Sequence, residues 1–225
     1  MNGTALFYGM NAGEDIYGKS IDIIDSLLKD NKHFNDSYSE AEKAVVKRVI
    51  HATSDISYAE TIFFTNGSAE KSIRLIKEKI VKKEPLKIVC DSEMTRAGIS
   101  RNVNKNIILD LNCYINSAGV PPDAGTTKSA FSIKTAISEI LPDIIIIGNA
   151  PTALTGAMEL CGRLYETIKY KPSLIIGMPV GFVGAAESKA ALYKNNFYKA
   201  IGNFGNFGGS SSAASAMNAL LRESI

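Results

Sequence analysis

Four consecutive isoleucines, Ile144 to Ile147, set the strongest limit on how this chain folds. A β-branched run without a polar break has no face to offer water, so it belongs to a strand buried on both sides. Such strands occur in parallel sheets covered by helices on each face. The run opens at Asp143 and ends in Gly148-Asn149-Ala150-Pro151, after which a helical pattern continues to about Tyr170. Leu86 to Cys90, stopped by Asp91, and Leu174 to Gly177, stopped by Met178-Pro179, repeat the same strand-to-turn sequence. Asn106 to Tyr114 and Ile62-Phe63-Phe64 read as two more strands. Alternation of strands and helices predicts an α/β fold of three layers, a mostly parallel sheet with helices on both faces. Right-handed crossovers then collect the loops at the carboxyl ends of the strands, where open α/β sheets place ligands. Met94, Arg96, Gly98 and Arg101 follow one such end, and Asn149 follows another.

Helical signals fill the gaps. From Asp15 to Asp30, Ile16, Ile23, Ile24, Leu27 and Leu28 fall at helical spacing, with Ser20 among them. In such a helix a serine faces solvent or bonds back to its own backbone. Asn31 to Ser39, which includes His33, reads as a polar loop. Ser39 is an N-cap with Glu42 three residues later completing a capping box, and the helix runs from about Glu40 through His51. Arg48 and His51 are three apart and share a face. Asn66-Gly67 marks a turn, after which Ser68 is expected to cap a helix through Val81. Thr127-Lys128-Ser129 opens another helix and suits either ordinary capping or an anion. Met1 to Gly13 reads as an N-terminal arm, and residues 1–225 as one domain.

Two glycine-rich blocks stand near the carboxyl terminus. Met178-Pro179-Val180-Gly181-Phe182-Val183-Gly184 breaks the strand before it and leads into a helix from Ala185. Gly205, Gly208 and Gly209 lead through Ser210 into an alanine-rich helix. Glycine lets backbone lie against a ligand, and a helix N-terminus favours anions; tight turns alone would equally use these residues. GNFGNFGG has a superficial likeness to a dinucleotide fingerprint. It follows no clear strand and lies at the wrong end of the chain, since the fingerprint opens a βαβ unit with an acidic residue about 20 positions on.

Charge is nearly balanced, 25 basic against 23 acidic residues, so there is no electrostatic footprint for nucleic acid. Cys90, Cys113 and Cys161 lack metal-ligand spacing and read as free thiols in a reducing compartment. No protein-bound metal is expected. Apolar runs are shorter than a membrane span and no signal-peptide pattern opens the chain, which predicts a cytoplasmic protein without a membrane partner. His33 and His51 are the two histidines. His51, beside Arg48, is the one with chemical potential as a general acid or base, although a single histidine is also commonplace in a purely structural role.

Six stretches carry a resemblance: IYGKSIDII, KRVIHATSD, CDSEMTRAGISR, IIIIGNAPTAL, GMPVGFVGAAESK and FGGSSSAASAMNAL. Together, and in this order, the chain resembles the precorrin-8X methylmutase family from Ile16 to Leu220. The resemblance implies an isomerase of cobalamin biosynthesis that moves a methyl group between adjacent carbons of a contracted tetrapyrrole. It implies His51 as the catalytic acid/base, Ser20 and Arg48 as substrate contacts, no cofactor, and a homodimer with sites near the subunit interface. Met94, Arg101, Thr127, Lys128, Asn149, Gly181, Phe182, Gly208, Gly209 and Ser210 are further candidates for holding a flat ring edged with carboxylates. Two positions depart from the family's pattern. Lys128 stands where an arginine is common, keeping the charge without the bidentate fork, and Asn206 stands where a basic residue is common. The alternative reading is a corrinoid-binding protein of the same fold without catalysis; a nucleotide-using α/β enzyme is a third.

Overall fold

The computed structural model describes the backbone from Ala12 and the side chains from Ile16 to Ile225. The expected arm lies outside the described residues, except that Ala12 and Gly13 open the first helix. The chain begins with α1 (Ala12–Leu28), α2 (Lys32–Ser37), α3 (Glu40–Thr53), α4 (Tyr58–Thr61), β1 (Ile62–Phe64) and α5 (Ser68–Lys82). Next come β2 (Leu86–Cys90), α6 (Glu93–Gly98), β3 (Leu109–Asn112), α7 (Lys128–Ile140) and β4 (Ile144–Ile147). The remainder is α8 (Pro151–Ile168), β5 (Leu174–Gly177), α9 (Ala185–Lys194), β6 (Ala200–Asn203) and α10 (Ser210–Glu223).

The strands form one sheet in the order β1-β6-β5-β4-β2-β3. All neighbours are parallel except β1, which runs antiparallel to β6 at the edge, with Phe63 opposite Gly202. The isoleucine run occupies β4, and all four side chains are fully buried. Because side chains alternate along a strand, Ile144 and Ile146 feed one core and Ile145 and Ile147 the other. Each such burial contributes about 1.5–3 kcal/mol. The first core lies under α1, α3, α5 and α10, the second under α7, α8 and α9. Helix α10 is buried along most of its length, from Ser210 to Leu221, and its small residues let it pack closely on α3 and the sheet.

Several local expectations need correction. Asn31 to Ser39 is not all loop: α2 forms there because Asn31 accepts the Phe34 N–H at 2.7 Å and Phe34 is buried, which places His33 on an exposed helix. Ser68 does not cap α5. Gly67 is the cap, in left-handed geometry (φ 65°), and the Ser68 hydroxyl donates to the Ala200 carbonyl at 2.9 Å. The third strand is only Leu109–Asn112, shorter than the expected Asn106 to Tyr114. The glycine-rich block GNFGNFGG begins inside a strand, since Gly202 and Asn203 are the last two residues of β6. In α1 the apolar residues make two stripes: Ile24 and Leu28 are buried, whereas Ile23 and Leu27 remain 62% and 64% exposed.

Candidate active site

The capping box forms as expected: Ser39 accepts the Glu42 N–H, and Glu42 accepts the Ser39 N–H at 3.0 Å. It sets the start of α3, whose Val45, Val46, Val49 and Ile50 are buried against the core. Arg48 and His51 therefore emerge together on the side covered by α1. The Ser20 hydroxyl, 31 residues away in sequence, lies 2.8 Å from His51 Nδ1. The Tyr17 ring stands edge-on to the imidazole, with centroids 5.0 Å apart. Burial, and then the Arg48 cation, hold the pKa of His51 below the ordinary histidine value, so the resting ring is neutral at pH 7. In a neutral ring, a hydroxyl donating to Nδ1 leaves the proton on Nε2. Ile16, Ile23, Leu27 and Ile56 wall a cavity of about 470 Å³ here, with Lys19, Ser20 and His51 as polar members. An apolar cavity with a few polar groups converging on it is what a flat organic ligand requires.

The carboxyl edge of the sheet is arranged differently. Buried Asp91, just past β2, accepts N–H bonds from Gly148, Asn149 and Ala150 at 3.0, 2.8 and 2.8 Å. Burial raises its pKa, and these donors together with the Thr95 hydroxyl pull it back. This turn, at the carboxyl end of β4 where open α/β sheets place ligands, thus already holds a carboxylate of its own chain. Thr95 also donates to the Ser210 hydroxyl at 2.9 Å. The two glycine-rich blocks bond to each other: Gly181 donates to the Asn206 carbonyl at 3.0 Å and Gly209 to the Met178 carbonyl at 2.8 Å. Gly208, at φ 154°, has no room for a side chain, since a Cβ would lie 2.4 Å from the Met178 oxygen. Fully buried Lys189 donates to the Phe207 carbonyl at 2.6 Å, with burial lowering its pKa to about 8. Gly181 and Gly209 face open space, and Phe182 is 94% exposed.

The candidate residues therefore fall into separate places. Ser20, Arg48 and His51 come together at the α1–α3 corner. Asn149, Gly208, Gly209 and Ser210 meet at the sheet edge, where Met94 sits exposed on α6. Thr127 caps α7, and its hydroxyl lies 2.7 Å from that of Thr152. Beside it, a cavity of about 370 Å³ is bordered by Pro151, Val183 and Gly184, with Lys128 exposed at the helix start. The cavity lined by His51 contains none of the sheet-edge residues. Arg101 departs from expectation: its guanidinium donates to the Leu109 carbonyl at 2.8 Å, at the amino end of β3. Sequence reasoning missed Tyr17, although it lies three residues before Ser20 on the same helical face, and it missed the scaffold roles of Asp91 and Lys189. Among the described residues, no group of three or more His, Cys, Asp or Glu is placed to hold a metal, and no helix is long and apolar enough to cross a membrane.

Comparison with known proteins identifies the family of the chain. The precorrin-8X methylmutase family model matches residues 15–223. A cobalt-precorrin-8 methylmutase of Methanocaldococcus jannaschii is 36% identical over 82% of this chain and 81% of its own length. One from Methanothermobacter thermautotrophicus is also 36% identical, over 80% and 79%. The solved structure of a precorrin-8X methylmutase from Thermus thermophilus superposes with a TM-score of 0.75 at 28% identity, covering 92% of this chain and 96% of that one. With the fold, the motif order and the matched length in agreement, the chain belongs to the precorrin-8X methylmutase family of isomerases.

Proposed function

We propose that this enzyme moves a methyl group from carbon eleven to carbon twelve of precorrin-8X, or of its cobalt form, giving hydrogenobyrinic or cobyrinic acid in cobalamin biosynthesis. The observation that carries the reading is the Ser20–His51 pair at the mouth of an apolar cavity beside Arg48. His51, protonated from solvent before the step, donates that proton from its imidazolium form to the ring system near the migrating methyl, and the conjugated system becomes electron-poor. The methyl then shifts to the neighbouring carbon, and the same proton returns to His51, so acid and base are one residue and no net proton is consumed. Ser20 holds the imidazole by Nδ1 and keeps Nε2 directed to chemistry. A substrate carboxylate beside Arg48 would offset that cation and make His51 easier to protonate when the site is filled.

The enzyme works as a homodimer in this proposal. The His51 cavity has exposed apolar walls in one copy, and the loop bearing Phe182 and Val183 is also exposed, so a second copy would cover both and bring sheet-edge groups to the ring. The test is an absorbance titration with hydrogenobyrinic and cobyrinic acids, followed by turnover of both substrate forms. Saturable binding with turnover is the expected result. Binding without turnover would favour the non-catalytic corrinoid-binding reading, and no binding of either acid would remove the proposal.

A further inference from the structure

Tyr17, which stands against His51, also lines a second, smaller cavity of about 240 Å³. It is lined by Tyr17, Lys47, Arg48, Ala219, Arg222 and Glu223, among others. Two guanidinium groups meet the same phenol ring there: Arg48 at 5.5 Å from the ring centroid and Arg222, from the last turn of α10, at 4.5 Å. Each contact is favourable alone, because the ring face attracts a cation. Together they bring two like charges to one ring; burial first, and then the Arg222 cation, lower the pKa of Arg48. A helix dipole accounts for a basic residue in the last turn of α10, but not for its guanidinium stacking on the ring that Arg48 already occupies. Among the described residues, the carboxylates near this cavity are Asp25, paired with Lys47 at 3.1 Å, and Glu223, and neither lies within 4.0 Å of Arg48 or Arg222.

We infer that Arg222 is a substrate-binding residue, and that Arg48 and Arg222, both held against the Tyr17 ring and both lining this one cavity, form a paired-guanidinium site for a peripheral carboxylate of the ring. This rests on the proposed corrinoid substrate and deepens it. A carboxylate has two oxygens and can accept a charge-assisted N–H bond from each guanidinium, and its negative charge offsets the repulsion between the arginines. Tyr17 touches both this site and the His51 ring, so an arm anchored here places the ring edge along the catalytic imidazole. The site uses side chains that the glycine-rich motifs do not supply.

The experiment compares the native protein with Arg222→Gln and Arg222→Lys, using hydrogenobyrinic acid and the same compound with its carboxylates converted to methyl esters. Arg222→Gln should weaken binding of the acid about 10-fold. KM should rise by a similar factor with a smaller change in kcat, the esterified ligand should bind equally to both proteins, and Arg222→Lys should restore part of the loss. Equal affinity of the acid for the native and Gln proteins would overturn the inference while leaving the proposed function standing. A parallel loss for acid and ester would also overturn it, because Arg222 would then only brace Tyr17. Failure of the native protein to bind either ligand would overturn the functional reading and this one with it.

Discussion

At the sheet edge, the Asp91 carboxylate accepts three backbone N–H bonds and the Thr95 hydroxyl, and the two glycine-rich blocks spend their own N–H groups on each other. At the α1–α3 corner, His51 has one hydrogen-bond partner among the described residues, Ser20, and opens on a cavity. The region with the most distinctive sequence is thus the more internally satisfied, and the region that looks like two ordinary amphipathic helices carries the histidine proposed as acid and base. A site that moves protons needs a group whose bonding is incomplete. A loop that must hold one shape beside it needs its bonding finished. Glycine serves the second need here as much as the first: at Gly208 the close approach it permits is to Met178, within the chain.

Substitutions on the two sides of this division should behave in opposite ways. The largest effect expected is for His51→Ala, which should lower turnover by about 10²–10⁴ while leaving the thermal unfolding midpoint nearly unchanged. A variant that unfolds early, or turns over normally, would break the division. Asp91→Ala should do the reverse. It leaves three N–H groups without their acceptor in a buried turn, and should cost about 3 kcal/mol in urea unfolding while turnover per folded molecule changes far less. Stability equal to that of the native protein would mean that the turn holds itself without the carboxylate.

The smallest effect is in the pH profile and sharpens the description of the corner. If protonated His51 is the acid, kcat/KM falls as pH rises through its lowered pKa in the free enzyme. Arg48→Gln removes the second of the two causes, so that limb should move to higher pH, while the larger cause, burial, stays in place. A limb that does not move would mean that Arg48 leaves His51 unaffected. The same depression works on stability with a definite sign. Because the unfolded chain takes up the His51 proton more readily than the folded one, this contribution is present above the ordinary histidine pKa and is lost as pH falls through it.

Much of the fold was legible because its signals are local. The isoleucine run required a strand buried on both faces, Ser39 and Glu42 marked the start of α3, and the breaks after Cys90, Ile147 and Gly177 placed loops at one edge of a parallel sheet. Strand β6 was not legible. Ala200-Ile201-Gly202-Asn203 has little strand propensity, and pairing with β5 and β1 makes it a strand, with Gly202 admitting Phe63 where a Cβ would lie 2.4 Å from the ring. Arg101 stood next to the expected loop in sequence, yet the chain carries it back to the amino end of β3. At the site, motif resemblance pointed to Ser20, Arg48 and His51, but spacing could relate only Arg48 to His51, which share one helix. The Ser20–His51 bond, the placement of Arg222 on Tyr17 and the enclosure of Asp91 by the β4–α8 turn join residues 31 or more positions apart. Periodicity, caps and turn residues act over a few residues and can be read from order alone. Which polar group meets which depends on how distant segments cross, and that was decided only when the two cores closed over the sheet.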